Sequence, residues 1–566
     1  MAEFSFRTRE AALKRFRTEQ FDFLIVGGGI TGAAAARDAV SRGLKVALVE
    51  RSDFASGTSS ASSKLIHGGL RYLENFELAL VFEALAERAL LLRTVPHLVR
   101  PLPFYFPVYK GDAHGRFILS CGLWLYDLLA LFRSPKFHRS LSKRAFLAAI
   151  PFLKAEGLKG GLRYYDASMW DDVMVVHILR ATVGEGAAVA NYVEAVAPIM
   201  DSGRVAGFAL KDLVSGEKLE VRAHRTIVCG GPWTDEIGAR VAKDWTPWLK
   251  PSKGIHLVFD HKRIPLPGAL VMSHPEDGRI SFVIPRKDLG AGVVIVGTTD
   301  SPTPDPTKPT VEAEDVRYLL RLLDRYFPSL QLRASDILSS YVGTRPLMAS
   351  QEERNKRVAE SDHSGASTSR ALQKISREHY IGDGPGNTIF VAGGKYTTHR
   401  RMATEIVDIA LKRWKDSSGK GPAPPKGLKR SDTEAPIFPE ALPEAAAAAR
   451  AAGAAEALVT RYGSAAREVE AMARPEDTTG DPAGFPSLEA QLRYCIRNEA
   501  VVHLGDFYFR RLPIFLARAD HGEPWIERLA RVWAEERGLS PDAAAAEGAK
   551  LLAEIELRAS ATQFES

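Results

Sequence analysis

Three glycines spaced Gly27-x-Gly29-x-x-Gly32 constrain this chain more than any other feature, because they follow directly on the apolar run Phe23-Leu-Ile-Val26. The run reads as a buried parallel strand, and residues 33–40 read as the helix after it. Gly27 makes the tight turn, Gly29 lets backbone approach a pyrophosphate, and Gly32 lets helix pack on strand. Ile30 and Thr31 fall at the helix start, where free N–H groups and the positive end of the helix dipole face the phosphates. Lys45-Val-Ala-Leu-Val-Glu50 then supplies a second strand ending in an acid, at the distance the motif requires. Glu50 can take both ribose hydroxyls of an adenosine, which argues for a cofactor without a 2′-phosphate: FAD or NAD.

Length and charge bound the rest. A chain of 566 residues holds two or three domains. Its 75 Lys and Arg against 69 acids give +6, too small an excess to imply nucleic acid, and suited to an anionic substrate or an anionic membrane surface. Cys121, Cys229 and Cys495 are scattered, with no CxxC; they read as buried thiols in a reducing compartment and not as a disulfide frame or metal site. No metal is expected. Residues 1–20 are charged, without the apolar stretch of a secretory signal, and residues 9–17 read as a short surface helix.

After Glu50 the chain is rich in small hydroxyl residues: Thr58, Ser59 and Ser63 lead to His67-Gly68-Gly69. That composition suits a loop laid against a cofactor. Residues 76–93 and 117–132 read as helices. The second is nearly all apolar but too short for a span, which needs ~20 residues. With Lys136, Arg139, Lys143 and Arg144 behind it, it reads as a core helix or one lying on a membrane surface. Phe104, Tyr105 and Phe106 could add interfacial aromatics.

Thr226-Ile-Val-Cys-Gly-Gly-Pro-Trp-Thr-Asp235, containing Gly231 and Trp233, is a third strand running into a glycine pair and a helix. Residues 388–399 repeat the pattern, and residues 205–211 and 218–223 read as a hairpin. The expected fold is therefore α/β. A discontinuous Rossmann-like domain (21–75, 165–245 and 386–414) follows a leading helix (1–20). A strand-rich substrate and membrane-facing domain (76–164 and 246–385) is threaded through it. A Gly- and Pro-containing linker (415–443) precedes an Ala- and Leu-rich helical domain (444–566).

Six further motifs occur in order. They are Ser62-Ser-Lys-Leu-Ile-His-Gly-Gly-Leu-Arg-Tyr-Leu-Glu74, Pro251-Ser-Lys-Gly-Ile-His256, Gly297-Thr-Thr-Asp300, Val342-Gly-Thr-Arg-Pro-Leu347, Ser376-Arg-Glu-His379 and Gly393-Gly-Lys-Tyr-Thr-Thr-His-Arg400. Together they resemble the signature of FAD-dependent glycerol-3-phosphate dehydrogenases of the bacterial, quinone-linked type. The 495–511 stretch, with Glu499, Asp506, Arg510 and Arg511, is similar to that family's C-terminal domain, less closely. Tyr396 and His399 stand where the family usually has Leu and Tyr. The gap between Arg345 and Arg377 is longer than in typical dehydrogenases. No Asp-x-Asp-x-Asp-Gly loop of the calcium-binding mitochondrial form is present.

The resemblance implies FAD, oxidation of sn-glycerol 3-phosphate to dihydroxyacetone phosphate, and electron transfer to a membrane quinone. It also implies a cytoplasmic protein lying on the inner face of the cell membrane, with a homodimer left open. It assigns Arg345, Arg377 and Lys395 to the substrate, beside Arg71, Tyr72 and Thr299. His67, Gly68, Gly69, Gly394, Thr397 and Thr398 fall to the flavin. Clustered cations suit a phosphate monoester, close to a dianion, through charge-assisted bonds. The proton of the substrate hydroxyl goes to His256, or else Arg345 or Lys395 polarises the alkoxide and water takes it. An oxidase using O2 is the alternative, and an amino-acid oxidase a more distant one.

Overall fold

The computed structural model describes residues 3–69, 73, 76–112, 114–274, 278–303, 305–349, 379–414, 423–437, 443–477 and 484–560. Two sheets share the first four hundred residues, and the chain crosses between them four times. It lays down β1 (Gln20–Val26) and β2 (Val46–Val49) of the first sheet. It then leaves for β3 (Leu65–Ile66), β4 (Val99–Tyr109), β5 (Arg139–Leu141) and β6 (Leu158–Met169) of the second. Back in the first sheet come β7 (Ala188–Ala190), β8 (Val193–Asp201), β9 (Arg204–Asp212) and β10 (Lys218–Val228). The second sheet gains β11 (Ser252–Asp260), β12 (Ala269–Ser273), β13 (Ile280–Arg286), β14 (Val293–Gly297), β15 (Ser301–Pro302) and β16 (Ile337–Arg345). Finally β17 (His379–Asp383) and β18 (Ile389–Gly393) complete the first.

Among the described residues the first sheet orders its strands β17-β18-β10-β1-β2-β7. β18, β10, β1, β2 and β7 run parallel, and each glycine turn therefore opens at one end of the sheet. All four residues of β2 and the 23–26 run of β1 are buried, as a parallel strand covered on both faces must be. The helix Ile30–Ser41 lies on one face and packs on the helices Asp171–Gly184 and His399–Lys412. The second sheet, antiparallel apart from β4 against β12, has its own core around Ile255, Leu257, Phe259 and Leu319.

Five expectations change. β3 pairs with β6, so residues 65–66 belong to the second sheet and not to a 21–75 segment. β6 extends that sheet through Met169, past 165, while β17 returns to the first sheet before 386. β10 is one strand where two were read, at 218–223 and from 226: its first half pairs antiparallel with β9, and residues 222–228 pair with β1. The leading helix, Phe6–Thr18, is not a surface element. It buries Ala12, Leu13 and Phe16, and its Arg9 donates to the Asn191 carbonyl at 2.9 Å.

The C-terminal helices pack into the core cluster that includes Phe23, Ile25 and Leu48 of the first sheet. In the linker, the Lys429 N–H donates to the Arg42 carbonyl at 3.0 Å, so this segment is bonded to the end of the Ile30–Ser41 helix. Among the described residues no helix is long and apolar enough to cross a membrane.

Candidate functional site

The glycine turn is shaped by contact. Gly27 has φ +113°, and a Cβ there would sit 2.3 Å from the Cys229 carbonyl oxygen, at the end of β10. A Cβ on Gly32 would sit 1.9 Å from the Gly27 carbonyl oxygen, so helix and turn can approach only without side chains. Opposite them, the Glu50 carboxylate accepts from the Gly28 N–H at 2.7 Å and the Ser52 N–H at 2.8 Å. Burial raises the Glu50 carboxyl above its ordinary range, against the pull of those two N–H groups. The Ser59 hydroxyl accepts the Ile30 N–H at 2.9 Å, tying the hydroxyl-rich loop to the helix start.

From this turn a cavity of about 1270 Å³ runs between the two sheets. Gly27, Gly29, Ile30, Thr31, Glu50, Thr58, Ser59, Ser63, His67, Gly68, Gly69, Gly231 and Trp233 line it, as do His256, Thr299, Arg345, Gly394, Lys395 and Thr397. Gly32 lies behind the turn and Thr398 is buried beside Thr397; neither lines the cavity. Arg71, Tyr72 and Arg377, and most of the 348–374 stretch, lie outside the described residues.

Each cavity wall has a polar backing. The Gly68 N–H donates to the Tyr126 hydroxyl at 2.9 Å, and that hydroxyl donates to Asp166, itself paired with the buried Arg88. The Thr58 hydroxyl donates to the Thr344 carbonyl at 2.5 Å. Tyr341 donates to the Ser62 carbonyl at 2.9 Å, and the Ser62 hydroxyl donates to Asp171 at 2.7 Å. Burial raises Asp172, next to this group, to about 6, despite Lys64 nearby.

His256 is 2% exposed. Its Nε2 lies 2.9 Å from the Ser63 hydroxyl, and its ring stacks on Tyr341 at 4.6 Å. Burial, then the charges of Arg345 and Lys64, lower its pKa to about 3, so the imidazole is neutral at any physiological pH. It can accept a proton, but without a bound anion it is a weak base.

The Arg345 guanidinium is committed to a nest of acceptors. Its Nη2 donates to the Thr298 hydroxyl at 2.8 Å and the Thr299 carbonyl at 3.0 Å; its Nη1 donates to the Lys253 carbonyl and Asp300 at 3.2 Å each. Asp300, the last residue of the Gly297-Thr-Thr-Asp300 motif, lies on the cavity wall. Arg279 also lines the cavity and had no sequence signal beyond a Gly-Arg pair. Phe104 and Tyr105 are buried in the second sheet and are not interfacial aromatics; Phe104 lines the cavity together with half-buried Phe106.

The helix Arg116–Leu129 buries only Leu123, Tyr126 and Asp127. It is therefore not a core helix: Phe117 is 82% exposed, and Ile118, Trp124, Leu128 and the following Leu131, Phe132 and Phe137 are all exposed. Cys121, on the same helix, is exposed and not the buried thiol expected, whereas Cys229 and Cys495 are buried. Phe76 (85% exposed) and Ile118 belong both to this apolar surface and to the cavity lining, so the cavity opens there.

A family model described as FAD dependent oxidoreductase matches residues 22–400, more than half of the chain. The aerobic glycerol-3-phosphate dehydrogenase of Staphylococcus haemolyticus is 38% identical over 412 residues, 72% of this chain and 70% of that protein. The chain belongs to that family of FAD-dependent oxidoreductases. The aerobic glycerol-3-phosphate dehydrogenase of Staphylococcus saprophyticus is 34% identical over 515 residues, covering 89% and 88% of the two chains. Residues 441–544 match a second model, the C-terminal domain of alpha-glycerophosphate oxidase. The crystal structure of the Bacillus halodurans glycerol-3-phosphate dehydrogenase complexed with FAD aligns with 99% of each chain, at 29% identity and a TM-score of 0.74.

The cofactor of this family member is FAD, and the residues fit it. The side-chain-free turn at Gly27 and Gly32 leaves room for a pyrophosphate at the Ile30–Ser41 helix start. Glu50 would take the ribose hydroxyls, and Gly68, Gly69, Gly394, Lys395 and Thr397, which also line the cavity, would lie along the flavin.

Proposed function

We propose that this chain oxidises sn-glycerol 3-phosphate to dihydroxyacetone phosphate and delivers the electrons to a quinone while lying on an anionic membrane surface at the inner face of the cell membrane. The observation that carries the acceptor is the cavity mouth at Phe76 and Ile118, which joins the FAD-binding loops to an exposed apolar surface. Arg116 opens the apolar helix, and Lys136, Arg139, Lys143 and Arg144 follow it in the chain, cations that complement an anionic leaflet. The substrate part rests on the relatives named above and on the cations of the cavity wall.

Oxidation of a secondary alcohol removes a hydride from C2 and a proton from its hydroxyl, and bound FAD supplies the hydride acceptor. The chain's residues do the rest. Arg345 and Lys395, with Arg71 and Arg377, attract the phosphate dianion and orient C2. Arg345, held in its nest of acceptor groups, is an immobile positive centre beside the developing alkoxide, so little reorganisation is needed when charge appears. Neutral His256 takes the hydroxyl proton. A dianion offsetting Arg345 removes one of the charges that depress its pKa and makes it a better acceptor. Ser63 fixes its Nε2.

A second reading passes electrons to O2 and makes peroxide. The match of residues 441–544 to a domain named from an oxidase favours it. Both readings require bleaching of the flavin by glycerol 3-phosphate under anaerobic conditions, with glycerol as a control; no bleaching removes both. Sedimentation with anionic vesicles at low and high salt, with peroxide measured during turnover, separates them. Salt-sensitive binding with little peroxide supports the quinone enzyme. Peroxide stoichiometric with product, and no vesicle binding, means the oxidase.

A further inference from the structure

We infer that the C-terminal helical domain holds the adenosine end of the FAD site in place, acting through Asp53 as a positioning residue. Asp53 does not line the cavity and is fully buried. Its carboxylate receives a two-pronged donation from Arg511, at 2.6 and 2.8 Å, and a further bond from the Arg510 Nε. These arginines lie more than 450 residues away in sequence, at the end of the Phe507–Arg511 turn. Burial disfavours ionised Asp53, but Arg511 and then Arg510 outweigh it and hold the carboxyl at about 2.

The arginines are themselves fixed within the C-terminal domain. The Arg511 Nε donates to the Glu499 carbonyl at 2.9 Å, and Arg510 pairs with Asp506 at 3.1 Å. Glu499 pairs with Arg461 at 2.8 Å, and Asp506 accepts from the Val502 and His503 N–H groups. Asp53 is thus gripped by a rigid body and not by two loose side chains.

Its place in the chain gives the grip a function. Asp53 lies three residues after Glu50, in a loop stitched to the glycine turn on both sides: Glu50 accepts from the Gly28 N–H, and the Ala55 N–H donates to the Gly28 carbonyl at 3.1 Å. The Tyr192 N–H holds the Ser52 carbonyl at 3.0 Å, and Phe54 packs on Phe4. The ribose acid and the turn that receives the pyrophosphate therefore keep their spacing only while residues 50–55 stay in place. Asp53 is where the C-terminal domain fixes them. Coupling of this kind is reciprocal: if docking of the domain favours FAD, bound FAD favours docking.

The test compares holoenzyme with apoprotein by amide hydrogen exchange, then titrates apoprotein with FAD. In the unaltered chain FAD should slow exchange in residues 499–511 as well as in the glycine turn. In Asp53→Asn, and more mildly in Arg511→Lys, the FAD dissociation constant should rise about tenfold or more, as when one partner of a buried ion pair is lost. FAD should then no longer slow exchange in 499–511, while KM for glycerol 3-phosphate at saturating FAD stays unchanged. A merely structural pair would raise exchange equally with and without FAD. Exchange in 499–511 of the unaltered chain that is the same with and without FAD overturns the inference, even if the variants fail to fold.

Discussion

Arg345 and Asp300 pair at 3.2 Å across the cavity wall, and Asp300 is all but buried. The guanidinium fork meets this carboxylate together with the Thr298 hydroxyl and the Lys253 and Thr299 carbonyls. A planar fork fits such an arrangement, and the point charge of lysine does not. Arg345→Lys should therefore behave almost like Arg345→Ala. Loss of a charged hydrogen-bonding partner costs about 1.5–3 kcal/mol, or roughly 10–150-fold in kcat/KM for glycerol 3-phosphate. Steady-state kinetics decide it: recovery of most of the activity by lysine would mean that charge alone matters.

Cofactor retention should grade with the space around each glycine. Gly32→Ala meets backbone at 1.9 Å and Gly27→Ala meets it at 2.3 Å with a positive φ, whereas a Cβ on Gly29 meets only the Ser59 hydroxyl at 3.1 Å. Purified Gly32→Ala and Gly27→Ala should be colourless, and Gly29→Ala should keep part of its flavin. The ratio of flavin to protein absorbance measures this, and a fully yellow Gly32→Ala would contradict it.

Stability should fall in mild acid through buried histidines. His256 is depressed to about 3 and His399 to about 4, both chiefly by burial. Between those values and ~6.5 the unfolded chain binds protons that the native chain refuses, so native stability rises with pH across that window and is lost as pH falls through it. His256→Asn removes one of these groups. Urea unfolding at several pH values from 4 to 7 should show a shallower slope for the variant; an unchanged slope would mean that His256 is protonated in the native protein.

The exposed apolar helix should matter to membranes and not to folding. Phe117→Ser and Leu128→Ser remove side chains that are more than half exposed and should leave the unfolding midpoint in place, because little buried area is lost. Replacing Lys136, Arg139, Lys143 and Arg144 together should weaken binding to anionic vesicles by about 1 kcal/mol per charge. Vesicle sedimentation reads both sets of variants, and undiminished binding in either would move the contact elsewhere.

The strands and turns of the FAD site were legible because they are local: an apolar run, glycines at fixed offsets and an acid at the end of the next run all fall within thirty residues. The end of β6 and the place of β3 were not legible, because apolar content does not say which sheet a strand joins. Hydrogen-bonded partners a hundred residues away decide that. The exposure of the Arg116–Leu129 helix was hidden for a similar reason, since its composition fits a core as well as an interface. Asp300 stands in a motif that assigns it no role, and Asp53 in no motif at all; only their partners, 45 and 458 residues distant, give them meaning.

The distance between Asp53 and Arg511 is also a delay. At about 5–20 residues per second, a ribosome takes roughly 20–90 s to make the 458 residues that separate them. Throughout that interval the carboxylate of Asp53 lacks its arginine partners. A chain ending before Arg510 would have every glycine of the cofactor turn and lack the arginine grip on the neighbouring loop. In such a fragment the spacing between Glu50 and the glycine turn would rest on the bonds within the N-terminal sheet and its loop alone.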